Sequence, residues 1–320
     1  MVIEMAKRIS IINFKGGVGK TTLALNLAGA LSQFHRKKVL LMDVDHQSSL
    51  SLVVLKATEW EDRVGQGKTI NAIFEPFVNS EKRLPGAEII VRQPYYDWQY
   101  PGLDIVPASL QLDEIELDLT STSIGDPIES EWKKRSLICD WIEKNGIDEE
   151  YDYIIFDCPP ATKIVTQNAI AASQGYVIPV IPDSVSTRGV PHLISRVFTK
   201  IDKKYSSLAE FLKTKGKNIS PIYEPNTKLV GIVISKIKTS GPAISGYTSD
   251  QTTYLRDLER GEYSKYIVKP YIVEGVGVPE ALSAGAPVYS LYSNPNIDNR
   301  GFKEIFKNVS QDLKQRIDAI

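Results

Sequence analysis

Phe14-Lys15-Gly16-Gly17-Val18-Gly19-Lys20-Thr21-Thr22 is the stretch on which the reading of this chain turns. It follows a short apolar run at residues 9–14 and precedes a helical pattern in which Leu23, Leu27 and Leu31 recur with Ala24 and Ala28. Strand, glycine-rich turn and helix in that order are the context of a phosphate loop. Glycines let successive backbone N–H groups turn toward phosphate oxygens, and the helix N-terminus adds the positive end of its dipole. Lys20 is placed to reach the β and γ oxygens, and the Thr21 hydroxyl to ligate magnesium. The strict motif wants glycine at position 14. Here Phe14 stands there and a second lysine, Lys15, opens the glycines, which makes this the deviant form of the loop.

Similar apolar runs, too short for helices and bounded by polar residues, glycine or proline, recur at residues 38–43, 103–106, 153–157, 176–181 and 229–234. They read as buried strands, and the helical patterns between several of them predict an α/β fold: a doubly wound, mostly parallel sheet flanked by helices. Three stretches break the rhythm. Residues 56–99 are rich in turn residues and aromatics, residues 121–130 contain Gly125-Asp126-Pro127, and residues 203–227 are the most basic part of the chain. All three are expected to be surface insertions on one domain spanning residues 1–320.

Two segments add the carboxylates that phosphate chemistry needs. The run at 38–43 ends in Asp43-Val44-Asp45-His46-Gln47, which puts acidic groups at the carboxyl edge of a parallel sheet, where doubly wound folds bind ligands. The run at 153–157 ends in Asp157-Cys158-Pro159-Pro160, and a carboxylate there suits a magnesium shell held through water.

Composition limits the alternatives. The 320 residues include 38 Lys+Arg against 39 Asp+Glu, a net charge of -1, so any polyanion binding must come from a local patch. With 42% hydrophobic and 24% charged residues the chain resembles an ordinary globular protein. Cys139 and Cys158 have no metal-binding or disulfide-framework spacing, which suits a reducing compartment. No run approaches the length of a membrane span, and a cytoplasmic protein is expected.

The segments 15–22, 43–47 and 157–160, in this order, resemble the ParA/MinD superfamily of deviant Walker A ATPases, and the ParA branch most closely. Weaker similarity continues through residues 182–189, which look like the family's switch segment, then 231–235, Pro279-Glu280-Ala281 and Gly285-Ala286-Pro287-Val288. The resemblance implies ATP and Mg2+ as cofactors and an ATP-sandwich homodimer in which Lys15 reaches the partner subunit's nucleotide. It implies that Asp45 orients the hydrolytic water, that Asp43 and Asp157 serve the magnesium environment with Thr21, and that Ser235, Val273 and Glu274 fall at nucleotide-contacting positions. Hydrolysis, carried by Lys15, Lys20 and Asp45, is expected to be slow, a timer on the dimer. The chain departs from the family at His46, where proline is common, at Ser48-Ser49, at Val273-Glu274, where the family has Pro-Arg, and at Gly277, where it often has a DNA-contacting arginine.

Three functions follow from that resemblance. The first is a positioning ATPase whose ATP-bound dimer coats the nucleoid by non-specific contacts to double-stranded DNA and is released by a ParB-like adaptor; Arg196, Lys200, Lys203, Lys204, Lys213, Lys215, Lys217, Arg256 and Arg260 are the candidate contacts. The second is a MinD-like membrane cycler using the stripe Phe302, Ile305, Phe306, Val309, Leu313 and Ile317, although packing of that stripe onto the sheet is the expected fate. The third is an iron–sulfur or metal carrier, which requires exposed cysteines, whereas Cys139 and Cys158 are expected to be buried.

Overall fold

Short runs of leucine, isoleucine and valine build the strands β1 (Lys7–Ile11), β2 (Val39–Asp43), β3 (Leu103–Val106), β4 (Tyr153–Asp157), β5 (Gly175–Val180), β6 (Lys228–Ile234) and β7 (Ile267–Val268). The computed structural model describes residues 5–94, 102–238, 249–291 and 301–320. The strands form one sheet in the order β3-β2-β4-β1-β5-β6-β7, and every pairing is parallel. Each run read from the sequence is a strand. β7 was missed because two residues are too short to stand out as an apolar run.

The first strand begins two residues earlier than its apolar run because Arg8 lies within it, 4% exposed. Its guanidinium donates to the carbonyls of Ala172, Ile222 and Ala6 and sits 3.9 Å from Asp148, so the buried charge is satisfied. Residues 12–14 leave the strand and form the approach to the glycines.

Although the strands are buried on both faces, their side chains still alternate. Ile9, Ile11, Leu41 and Ile155 join one core with Leu23, Leu27, Phe306 and Leu313; Leu40, Met42, Ile154 and Phe156 join the other with Phe74, Ile138, Trp141 and Ile170. Helices Lys20–His35 and Phe302–Asp318 cover the first face. In the second of these the whole stripe Phe302, Ile305, Phe306, Val309, Leu313 and Ile317 is buried. Each such side chain contributes about 1.5–3 kcal/mol by leaving water, so this stripe is a substantial part of what holds the helix to the sheet. Among the described residues no helix is long and apolar enough to cross a membrane.

The surface reading of residues 56–99 is corrected by burial. Ile70 and the helix Asn71–Val78 place Ile73, Phe74 and Phe77 in the core, so this stretch covers the sheet; its last residues, 95–99, lie outside the described residues. Its turn residues and aromatics masked a short amphipathic helix. Residues 121–129 are largely exposed, and Asp126 accepts from the amides of Ile128 and Glu129 to start the helix Pro127–Lys133. Within 203–227, the helix Thr199–Thr214 is only half surface: Tyr205, Ala209 and Leu212 are buried, and Tyr205 and Tyr223 meet Trp132 edge-on.

Because β4 lies between β2 and β1, three loops distant in sequence leave the same edge side by side. Asp157 is the register partner of both Asp43 and Ile11.

Candidate functional site

The phosphate loop leaves β1 tied to its neighbours by hydrogen bonds. Asn13 donates from Nδ2 to the Pro179 carbonyl at 2.8 Å, and its Oδ1 accepts the Lys15 amide at 3.0 Å, which ties the start of the loop to the end of β5. Ser235 Oγ donates to the Val18 carbonyl at 2.9 Å and Lys236 Nζ to the Gly17 carbonyl at 2.7 Å. In a planar trans peptide the next N–H points the opposite way, so anchoring those carbonyls on the two residues that follow β6 turns the amides of Val18 and Gly19 to the other side of the loop. Gly17 and Gly19 adopt φ of 73° and 89°, a left-handed conformation that a side chain would strain.

Gly19 is the N-cap of helix Lys20–His35, and no side chain caps it and no acidic residue occupies its first turn. A helix N-terminus left without an internal acceptor is an anion site. Lys20 is 7% exposed over this loop, with Nζ 3.3 Å from the Lys15 carbonyl. Burial pushes its ammonium below the ordinary lysine value, while Asp157 and Asp45 pull in the opposite direction.

The three carboxylates differ in what they hold. Asp43 is fully buried: one oxygen accepts the Ser51 amide at 2.9 Å and the Ser51 hydroxyl at 2.6 Å, the other the Asp45 amide at 3.1 Å. Burial raises its pKa to about 7 against the opposing effect of those bonds. Asp43 therefore anchors the loop that presents Asp45. Asp45 is 7% exposed and accepts the Gln47 amide at 2.9 Å, with His46 Nδ1 3.6 Å away. Asp157 is buried, and neither oxygen has a partner at full hydrogen-bond geometry, although the Thr21 hydroxyl lies beside it. Burial and the neighbouring Asp43 hold its pKa well above the carboxylate range, and the Thr21 hydroxyl, Asp45 and Lys20 also act on it, Thr21 and Lys20 toward lower values.

An orphaned buried carboxylate beside a hydroxyl fits a cation. Among the described residues no group of three or more His, Cys, Asp or Glu could hold a metal by itself. A magnesium ion here would be shared among Thr21, Asp157 and phosphate oxygens.

Lys15 goes elsewhere. Its ammonium pairs with the Asp183 carboxylate and lies 3.4 Å from Ser186 Oγ, away from the loop that Lys20 covers. Asp183 caps the helix Ser184–His192 by accepting the Ser186 amide at 2.8 Å. Burial would raise the Asp183 pKa, but the bonds from Lys15 and Ser186 keep it below its ordinary value.

Beside Gly19 and Thr22 opens a cavity of about 210 Å³ lined by Pro179, Ser235, Lys236, Val273, Glu274 and Val278 among others. The structure thus brings Ser235, Val273 and Glu274 to the phosphate loop from two separate connections. Asn13, Ser51, Asp183 and Lys236 also belong to the site and were not read from the sequence. Asp183 lay in a segment noted for its resemblance, whereas Ser51 and Asn13 carry no local signal, because their partners are set by packing.

The basic candidates are mostly on the helix Thr199–Thr214 and just beyond it. Lys200, Lys203, Lys213 and Lys215 are exposed, whereas Lys204 pairs with Glu131 at 3.2 Å and Lys217 with Glu129 at 3.0 Å. Arg256 and Arg260 are exposed on a separate helix, Ser249–Arg260; the Arg196 side chain lies outside the described residues. Cys139 and Cys158 are buried free thiols, and burial pushes both well above the ordinary thiol range.

Seven strands paired in parallel, a glycine loop with its carbonyls anchored outward, an uncapped helix start and a buried lysine over it define a phosphate-loop nucleotide-binding protein. A family model described as "AAA domain" matches residues 6–211. The sporulation initiation inhibitor protein Soj of Bacillus subtilis is 31% identical over 194 residues, covering 60% of this chain and 65% of that protein. Among solved structures, apo McdA of Cyanothece superposes with a TM-score of 0.65 at 19% identity, covering 96% of this chain and 99% of that one. ParA of pNOB8 gives 0.63 at 21% identity, covering 98% and 99%. The chain belongs to this AAA domain family and is similar to the ParA/MinD superfamily of phosphate-loop ATPases.

Proposed function

We propose that this protein is a ParA-like positioning ATPase: an ATP-bound homodimer that binds double-stranded DNA non-specifically in the cytoplasm, on the nucleoid, and is released when a ParB-like adaptor stimulates hydrolysis. The observation that carries this reading is the divergence of two lysines within one loop. Lys20 is buried over its own loop, while Lys15 is held outside it at Asp183. A cation that does not serve its own cradle is available to a second subunit's phosphates, where it would stabilise developing charge as an arginine finger does.

In this reading Lys20 and the amides of residues 16–22 bind the phosphates of ATP, and Thr21 and Asp157 hold magnesium. Magnesium supplies charge neutralisation at the phosphates. Asp45, presented by the Asp43–Ser51 anchor, orients the attacking water, and the cavity lined by Ser235, Val273 and Glu274 takes the base. That an ATP complex of Cyanothece McdA shares the fold supports the choice of nucleotide. The buried terminal stripe speaks against the membrane cycler, and the buried thiols against the cluster carrier.

The deciding experiment is binding of the Asp45→Ala protein to random-sequence duplex DNA with ATP, with ADP and without nucleotide, over a salt series. ATP-dependent, salt-sensitive, sequence-independent binding is expected. A dimer that forms with ATP yet ignores DNA at low salt would sink the nucleoid part of the reading.

A further inference from the structure

The loop between Asp157 and the helix Ile164–Ala171 is held by a residue from another part of the chain. That helix starts at Lys163 with no side-chain cap of its own. Instead the Glu116 carboxylate, 6% exposed, accepts the Ile164 amide at 2.6 Å and the Val165 amide at 2.9 Å. Negative charge at a helix start is favourable, and two amide donors offset part of the cost of burying the carboxylate. A serine, threonine or aspartate at position 163 would cap the helix equally well without a buried charge from a distance. What the distant cap adds is a fixed relation between this loop and the helix Leu112–Ser121.

A second tie and a second contact reinforce that relation. Asp113, one turn before Glu116, pairs with Lys163 at 2.6 Å. The same helix shares a small cavity with Val44 and His46 on one side and Pro159 on the other. One short helix therefore faces the loop that carries Asp45 across this cavity and clamps the loop that follows Asp157.

We propose that Glu116 is a positioning residue for hydrolysis, holding residues 158–163 in the geometry that turnover requires; this rests on the ATPase reading above. Glu116 touches neither nucleotide nor water in this scheme and acts through the loop it clamps.

The test compares wild type with Glu116→Gln and Glu116→Asp, measuring kcat, KM, affinity for a fluorescent ATP analogue, thermal midpoint and amide exchange across residues 158–165. Glu116→Gln keeps the shape but offers an amide NH2 to one of the two N–H donors. It should lower kcat at least about tenfold, the size of effect typical of residues that orient a catalytic group from behind, speed exchange at Ile164 and Val165, and leave analogue affinity within about twofold. Glu116→Asp keeps both acceptor oxygens and should recover part of the loss. An unchanged kcat, or one that falls only in step with affinity, overturns the proposal. A wild-type chain that binds ATP and never hydrolyses it overturns the ATPase reading instead, and exchange at 158–165, read without turnover, still decides whether Glu116 holds the loop.

Discussion

Lys15 in the phosphate loop is ion-paired with Asp183, the residue that caps the helix after β5. The two lie 168 residues apart in sequence, and the pair is about one-third exposed on each side. For Lys15 to serve a partner's nucleotide it must leave Asp183. A partly exposed pair of this kind contributes up to about 1 kcal/mol, so the competition is mild and measurable.

Asp183→Asn keeps a good helix cap and removes the charge that holds Lys15. On an Asp45→Ala background it should tighten ATP-dependent dimerisation by up to about fivefold, read by analytical ultracentrifugation. Equal or weaker dimerisation would show that the pair does not compete with assembly.

Lys20→Ala removes a charge-assisted contact to phosphate and should weaken ATP by at least about tenfold to a hundredfold. Asp45→Ala should bind ATP within about twofold of wild type while hydrolysis falls by about a hundredfold or more. Equilibrium dialysis and phosphate release separate the two variants; an Asp45→Ala protein turning over at the wild-type rate removes the role given to that carboxylate.

Gly29 tests the packing behind the site. A Cβ there would stand 2.6 Å from Tyr289 Oη and 2.8 Å from Pro287 Cγ, while Val288 N and Tyr289 Oη already donate to Asn26. Gly29→Ala should cost about 1–3 kcal/mol through overpacking, seen as a lower urea midpoint at unchanged m. An unchanged midpoint would mean that the 287–289 segment moves aside freely.

Asp140, mostly buried on the helix Leu137–Asn145, has its pKa raised to about 6, chiefly by desolvation. The folded chain then holds this proton up to pH 6 while the unfolded chain releases it near pH 4, so stability falls as pH rises through that window. Asp140→Asn should flatten the decline and stabilise the protein at pH 7 by about 1–2 kcal/mol. Denaturant titrations at pH 4 and pH 7 check it; equal gains at both pH values would remove the assignment.

Much of this protein is legible along the chain because its signals are local. Residues 14–22 carry a turn, a cation and a helix start in consecutive positions, and each apolar run is short enough to be a strand and nothing else. The stripe Phe302, Ile305, Phe306, Val309, Leu313 and Ile317 likewise announces one buried helical face before any partner is known. By contrast, residues 69–78 read as surface because Thr69, Asn71 and Pro76 interrupt the apolar pattern; yet Ile70, Ile73, Phe74 and Phe77 are buried.

What the chain alone determined is the chemistry on offer: a phosphate cradle, lysines at both ends of it and carboxylates at the ends of two strands. Tertiary structure decided how they are used. Inserting β4 between β1 and β2 made Asp43 and Asp157 register neighbours, and side-chain bonds then separated their roles, because Ser51 satisfies Asp43 while neither Asp157 oxygen has a partner at full hydrogen-bond geometry. Lys15 reached Asp183, and Glu116 reached the amides of Ile164 and Val165, by the same route. Such partners are chosen by packing across dozens of residues, and sequence spacing carries no record of them.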